Sequence, residues 1–559
     1  MLYTLDMGFE EFAKRPELKC TLAYTVAKGL CESHTDWLLC DFSGGAKKYS
    51  AAEILAQSVA LSRRFAKLGL KDRVAVALAP SQIAFVVNYA CVFAGVRPVN
   101  INFTLGPVAA KSCFETAKIE TSITSEFFRA KIAKANPQFP WSENTIDAQK
   151  LLDEIPQAEI DEIAESVKLG ADGFAKLHGI PKFGDNEREA TLVFTSGSEG
   201  SPKAAILTER NIIANCLQTK LIGLFGKDDI LLANLPIFHS FGLLFEAWYM
   251  AAHGQKTTTL HSPLDVKNNI RAVREIGITA IIGSPTFFRA YLKHAAPDDM
   301  KTVKMAIAGA EKTPKGFHEM WNAAFGETYL EGYGLTEASP VVGVNQPERD
   351  FGYFSTGNRK GSIGKLFPGM RAKILHPATL KEMPFGEQGL LALEGPNIFA
   401  GYLDNKPATD AALQNGWLIT GDLSRMDPDG FLYIDGRVSR FSKIGGEMVP
   451  HATVEAALNA ELKLADSDIP LIAVSSRLDE GKGEALVLLA ATDITLAQAK
   501  DALRNAGISN LWQPKYLVKV EKIPLLPSGK LDLKQIAKLA GGLTDANSFA
   551  GGLSTTQMP

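Results

Sequence analysis

Cysteine is sparse in this chain, and where it occurs it has no pattern. Six cysteines among 559 residues, Cys20, Cys31, Cys40, Cys91, Cys113 and Cys216, are scattered without a C-x-x-C pair. Neither a disulfide framework nor a zinc site is indicated, and a reducing cytoplasm fits best. Charge of one sign is not in excess either. The formal net charge is −3, which gives no global pull toward nucleic acid or an anionic bilayer. The segment from Met1 to Glu11 lacks a basic stretch followed by an apolar one, so no secretory signal is expected. Long apolar runs are also missing. The most apolar window, residues 230–252, is interrupted by Asn234, Pro236, His239 and Glu246, which makes a poor transmembrane helix.

What is present reads as a soluble globular chain, 46% apolar and 22% charged, too long for a single core. Up to about residue 70 the pattern is helical around one short strand, with Ser50 and Glu53 at capping-box spacing. Arg73–Leu78, Gln82–Ala94 and Val96–Val99 then read as strand, helix and strand, a βαβ unit that implies a parallel sheet. Residues 127–188 mix charge with proline and glycine and read as surface chain between two sheet units. Thr208 reads as the cap of a helix running through Asn215, and apolar strands at Ala280–Gly283 and Met305–Ala308 suggest a second parallel α/β unit. From about Gly361 short strands broken by Gly and Pro point to a small antiparallel barrel or sheet.

The most informative stretch runs from Thr195 through Ser196, Gly197, Ser198, Glu199, Gly200, Ser201 and Pro202 to Lys203. It lies between two apolar runs that read as strands. Small residues let a backbone approach a ligand closely, and consecutive N–H groups form a concavity suited to phosphate oxygens. Lys203 adds a cation at the rim. The P-loop pattern is not met, because only Ser201 and Pro202 separate Gly200 from Lys203 and a strand comes next.

Three later stretches complement it. Glu331 to Glu337 holds Gly332, Tyr333, Gly334 and Thr336. A tyrosine flanked by glycines can lie flat on a nucleobase, and a threonine can bond a phosphate oxygen. Glu337 can hold Mg²⁺, which takes few carboxylates alongside phosphate oxygens. Asp422 follows a turn glycine and can accept from a ribose diol, with Arg437 within reach along a hairpin. Lys530 ends the proline- and glycine-shaped turn Leu525 to Lys530. Taken singly, each of these has a bland reading as a plain turn or a solvated lysine.

In order and spacing these motifs resemble the adenylate-forming superfamily of acyl- and aryl-CoA synthetases, luciferases and peptide-synthetase adenylation domains, from about residue 20 to 540. The resemblance implies an α/β fold: a large N-terminal domain (1–438) of two doubly wound sheets plus a small β-barrel (about 361–438). It implies a smaller, mobile α+β C-terminal domain (439–540), and residues 541–559 read as a disordered tail. The implied chemistry is attack of a carboxylate on the α-phosphate of MgATP, giving acyl-AMP, followed by transfer to a thiol.

In that scheme Thr195, Ser196, Gly197, Ser198, Gly200 and Lys203 hold the β- and γ-phosphates, and Glu311, Tyr333, Gly334 and Thr336 contact the nucleotide. Glu337 takes the metal, Asp422 and Arg437 fix the ribose, and Lys530 bridges carboxylate and α-phosphate. His239, Gly309 and Ala310 lie toward the acyl group. After adenylation the small domain is expected to turn, replacing Lys530 by the face carrying Lys443, Gly445 and Gly446.

A narrower resemblance is to the acyl-ACP synthetase part of the bacterial 2-acylglycerophosphoethanolamine acyltransferase/acyl-ACP synthetase. It is carried by Phe194–Gly200, Leu235–Gly242, Ala308–Lys312 and Arg440–Val449. It implies a fatty acid substrate and holo-acyl carrier protein as acceptor, ATP and Mg²⁺ as cofactors, and peripheral contact with lipid. Eight basic residues against three acidic ones between 500 and 540 add a local charge that can steer an acidic partner. The alternatives are a long-chain acyl-CoA synthetase and a non-catalytic nucleotide- or fatty-acid-binding member. Three positions depart from the wider pattern: Glu199 where Thr is commoner, Ala204 where Gly is usual, and Ser439 in place of a hinge Asp or Lys, which leaves the hinge position open.

Overall fold

The computed structural model describes residues 4–195, 202–377, 379–437, 440–444, 447–464, 467, 469–479, 483–525 and 531–541. Two compact units are present. The larger extends through Ile434, and the smaller takes Gly421–Leu423 together with the chain from Asp435.

A nine-stranded sheet is the larger unit's main scaffold, in the order Lys365–Leu366, Val341–Val344, Tyr329–Gly334, Met305–Ala308, Ala280–Gly283, Leu231–Ala233, Thr257–Thr259, Leu39–Asp41 and Lys47–Tyr49. Its six middle strands are parallel and its margins antiparallel. A second, fully parallel sheet orders Arg97–Asn100, Arg73–Val76, Thr121–Thr124 and Asn144–Asp147. This is the sheet implied by the βαβ pattern. The helix Gln82–Phe93 is buried over nearly its whole length, which explains why its sequence is apolar on all sides. Strands Glu189–Thr195, Lys203–Thr208 and Gly401–Tyr402 form a separate antiparallel trio. Thr191 Oγ1 donates to Pro98 O at 2.7 Å and ties this trio to the parallel sheet.

The antiparallel region expected after Gly361 is a six-stranded sheet that also recruits Leu5–Asp6 from the chain's start. Among the described residues its pairings run in the order Leu5–Asp6, Arg371–Leu375, Gly389–Glu394, Trp417–Met426 and Leu413–Gln414, with Leu432–Arg437 also paired to Trp417–Met426. In the smaller unit Glu447–Pro450, Phe441–Ile444, Gly483–Ala490 and Ile472–Asp479 form an antiparallel sheet, with Tyr516–Lys519 added in parallel. Helices His451–Glu461 and Leu496–Asn505 complete its core through Val454, Leu458 and Leu503.

Two segments differ from the sequence reading. Residues 127–188 do not wander over the surface. They hold the helices Glu126–Ala135, Ala148–Asp153, Gln157–Glu165 and Gly170–Leu177, with Ile160, Ile163 and Phe174 in the core. Each helix is short and bounded by Pro156, Gly170 or a polar turn, too brief for a clear 3.6-residue period. The helix after Thr208 runs past Asn215 to Leu221, and it is buried on nearly all sides, one of its buried faces being polar. Asn215 exchanges two hydrogen bonds of 2.9 Å with the backbone of Val341, and Gln218 donates to Pro368 O at 2.9 Å. Hydrophobic periodicity cannot register a face satisfied in this way. Among the described residues no helix is long and apolar enough to cross a membrane.

Candidate active site

The site begins at a hairpin register. Thr195 lies opposite Lys203, and the antiparallel pairing continues to Thr208. The turn between them, with Ser196, Gly197, Ser198, Glu199 and Gly200, lies outside the described residues. The strand Gly401–Tyr402 adds on the far side of Lys203–Thr208, setting Tyr402 opposite Ala205. Gly401 is needed at this point. Its φ is +129°, and a Cβ there would meet Thr409 Cγ2 at 2.6 Å.

Tyr402 links the hairpin to the acidic motif. Its hydroxyl donates to Glu337 Oε1 at 2.6 Å, and Lys203 Nζ stands 5.3 Å from its ring centroid. Such a cation–ring contact is worth about 0.5–1 kcal/mol in a partly exposed setting. Phe399 packs edge-on to the same ring at 4.9 Å, and its N–H donates to Glu337 O at 2.9 Å. Asn397 Nδ2 donates to Ala338 O at 2.7 Å. Residues 397–402 are therefore stitched along the segment that presents Glu337.

That segment turns sharply after Tyr329–Gly334. A Cβ on Gly334 would lie 2.3 Å from Pro340 O, so only glycine fits. Tyr333, one residue earlier, pairs across the strand with Gly343 and is partly buried against the main core. Thr336 Oγ1 lies 3.2 Å from Ser240 Oγ, joining the acidic motif to the loop that carries His239. His239 precedes the short helix Ser240–Gly242, and its ring is edge-on to Phe238 at 4.7 Å. Gly309 faces the same loop, since a Cβ there would sit 3.5 Å from the Phe241 ring, and Ala310 has a φ of +67°. Glu311 Oε2 accepts from Thr286 Oγ1 at 2.6 Å. Burial raises the Glu331 carboxyl above its ordinary value, with Lys312 opposing.

Asp422 and Arg437 belong to the smaller unit. Arg437 Nε donates to Asp422 Oδ1 at 2.8 Å, the carboxylate buried and the guanidinium largely exposed. Lys443 occupies the strand Phe441–Ile444, in register with Met448. Gly445, Gly446, Lys530 and Ser439 lie outside the described residues. The structure thus brings Lys203, Thr336 and Glu337 together, pairs Asp422 with Arg437, and sets Gly309 beside the loop that carries His239.

The donor set suits a cation that arrives with its own oxygens. Among the described residues no cluster of three or more His, Cys, Asp or Glu is placed to hold a metal ion. Glu337 offers one carboxylate, which fits Mg²⁺ carried largely by phosphate oxygens rather than a protein-built cage.

Residues 31–403 match the family described as AMP-binding enzyme. The chain belongs to that family. A long-chain-fatty-acid–CoA ligase of Yersinia pestis is 29% identical over 370 residues, 65% of this chain and 64% of that protein. That match spans less than two thirds of the relative's length. The protein of the same name from Bacillus subtilis (strain 168) is 26% identical over 516 residues, 87% of this chain and 89% of the relative. The crystal structure of ATP-bound MatB from Rhodopseudomonas palustris superposes with a TM-score of 0.72 at 23% identity, covering 92% of this chain and 98% of that one. At that identity the likeness is one of fold. The resemblance to adenylate-forming enzymes drawn from the motifs is borne out. The narrower likeness to acyl-ACP synthetases has no counterpart among these relatives.

Two residues of this AMP-binding enzyme escape a motif-based reading. Tyr402 sits in an ordinary-looking glycine–tyrosine pair whose partners are remote in sequence. Glu246 is fully buried in the irregular helix Leu243–Tyr249, where its Oε1 accepts from Leu235 N–H at 2.7 Å. Burial holds its carboxyl well above the usual range, against the backbone N–H groups of Leu235 and Asn234. Through that hydrogen bond it braces the start of the His239 loop. Its one legible signal is a lone carboxylate inside the most apolar window of the chain.

Proposed function

We propose that this enzyme activates a fatty acid with MgATP through an acyl-AMP and transfers the acyl group to the thiol of CoA. The observation that carries the reading is Tyr402, whose ring and hydroxyl gather Lys203 and Glu337 into one place. A cation for phosphate oxygens and a carboxylate for their metal are what polyphosphate positioning requires.

In this scheme Lys203 and the hairpin turn from Thr195 hold the β- and γ-phosphates, and Thr336 bonds a phosphate oxygen. Bound at Glu337, Mg²⁺ would neutralise charge on the phosphates. Tyr333, Gly334 and Glu311 form the nucleotide side, while Asp422 and Arg437 hold the ribose. Lys530 stabilises charge developing at the α-phosphate. His239, Gly309 and Ala310 border the acyl group, and Lys443, Gly445 and Gly446 serve the thiol half-reaction.

The relatives named as fatty-acid–CoA ligases favour CoA over acyl carrier protein as acceptor. Charge pairing points the same way. Within the basic stretch 500–540, Lys515 pairs with Asp479, Lys519 with Asp493, and Arg504 with Asp501. Asp479 and Asp493 lie outside that stretch, so its apparent surplus is partly cancelled, and the field that could steer an acidic carrier is weaker than the residue count suggests.

The test is mass spectrometry of the products after the purified protein receives MgATP, a long-chain fatty acid, and equal amounts of CoA and holo-acyl carrier protein. Acyl-CoA is the expected main product. Acyl-carrier protein would move the enzyme to the other acceptor, and absence of both products and of AMP would overturn the ligase reading.

A further inference from the structure

Tyr402 is held more firmly than a surface tyrosine. Its strand pairs with Lys203–Thr208, its N–H donates to Thr409 Oγ1 at 2.9 Å, and its ring is packed by Phe399. From this fixed position its two ends meet groups of opposite charge. The ring face receives the Lys203 ammonium, and the hydroxyl donates to one oxygen of Glu337. Among the described residues Lys203 and Glu337 make no ion pair with each other, although both contact the same side chain. An ammonium and a carboxylate left free to meet would neutralise each other, and neither would then be available to a ligand.

We propose that Tyr402 is a positioning residue that keeps Glu337 and Lys203 apart, its hydroxyl fixing the carboxylate for the Mg²⁺ of MgATP and its ring carrying the ammonium toward phosphate. The proposal rests on the ligase reading above and assigns a role within that site. A phenol suits the task. It is neutral near pH 7, so it donates to the carboxylate without cancelling its charge, and its ring face attracts a cation without supplying a counter-charge. A phenylalanine would keep only the second function, and a leucine neither.

The test is calorimetric titration of ATP into the full chain, with Mg²⁺ and then with EDTA. The proteins are the parent, Tyr402→Phe, Tyr402→Leu, Glu337→Gln and the double variant Tyr402→Phe/Glu337→Gln, each checked for an unchanged unfolding temperature. Tyr402→Phe is expected to reduce the Mg²⁺-dependent gain in ATP affinity by about tenfold, the scale of one hydrogen bond to a charged group, and to leave binding in EDTA unchanged. In the Glu337→Gln background it should do nothing further. Tyr402→Leu should also weaken binding in EDTA, because Lys203 loses its support. Equal loss with and without Mg²⁺ in Tyr402→Phe, or an undiminished effect in the Glu337→Gln background, would overturn the role for Tyr402. A parent protein that binds ATP with no gain from Mg²⁺ would instead overturn the reading of the site itself.

Discussion

At the scale of single residues, the site divides into groups held by neighbours and groups whose role follows from motif alone. Glu337 is the best held, gripped at its carboxylate by Tyr402 and at its backbone by Phe399. Asp422 is buried against Arg437, so a ribose hydroxyl would join an existing charge-assisted bond. Lys530 rests on the motif Leu525 to Lys530 and on the adenylate-forming resemblance. Its assignment makes a sharp prediction. Lys530→Ala should slow acyl-AMP formation, read as ATP–pyrophosphate exchange, by about 10² to 10³, the usual effect of losing one preorganised donor. Transfer from supplied acyl-AMP to CoA should persist. Equal loss of both half-reactions would remove Lys530 from the adenylation step.

At the scale of elements, close backbone contact matters more than side-chain identity where two helices cross. The helix Leu22–Cys31 crosses Met250–His253 at Gly29, where a Cβ would stand 2.2 Å from Ala251 O and 2.4 Å from Ala252 O. Both atoms are backbone, so the elements themselves must part. Gly29→Ala should therefore cost about 1–3 kcal/mol, the range for overpacking a tight interior, and scanning calorimetry would register it as a lower unfolding temperature. An unchanged temperature would mean that the two helices can separate at no cost. Glu246 acts on the same scale, since its carboxyl ties an irregular helical turn to Leu235 in the loop ahead of it.

At the scale of the whole molecule, buried histidines set an acid limit. Burial, with Lys220 nearby, lowers His253 in the larger unit to about 4, and burial with Arg440 lowers His451 in the smaller unit to about 3. An unfolded histidine takes up a proton near pH 6.5. Stability from keeping these rings neutral is therefore complete above pH 6.5 and is lost as pH falls toward their folded values. For His253 the loss by pH 5 is about 2 kcal/mol. Unfolding temperature should fall between pH 7 and pH 5, and His253→Gln should flatten that profile. A parent profile that is already flat would contradict the burial of a neutral ring.

The sequence by itself determined the family, the βαβ sheet and most of the motif positions, because these depend on local pattern: glycines where the backbone must turn, a lysine after a small-residue loop, strands read from apolar runs. Gly334 is an example, since its requirement is set by Pro340, a few residues along the same chain. What depends on contacts between remote segments was decided only in three dimensions. The strands near residues 39–49 join a sheet otherwise built after residue 230, and Leu5–Asp6 joins one built after residue 370. The polar buried face of Glu209–Leu221 hides its helical period because its partners are backbone atoms of a distant strand and loop. Tyr402 has no motif of its own. Its meaning arises when pairing with Lys203–Thr208 sets its hydroxyl on Glu337, a non-local hydrogen bond that no spacing along the chain encodes.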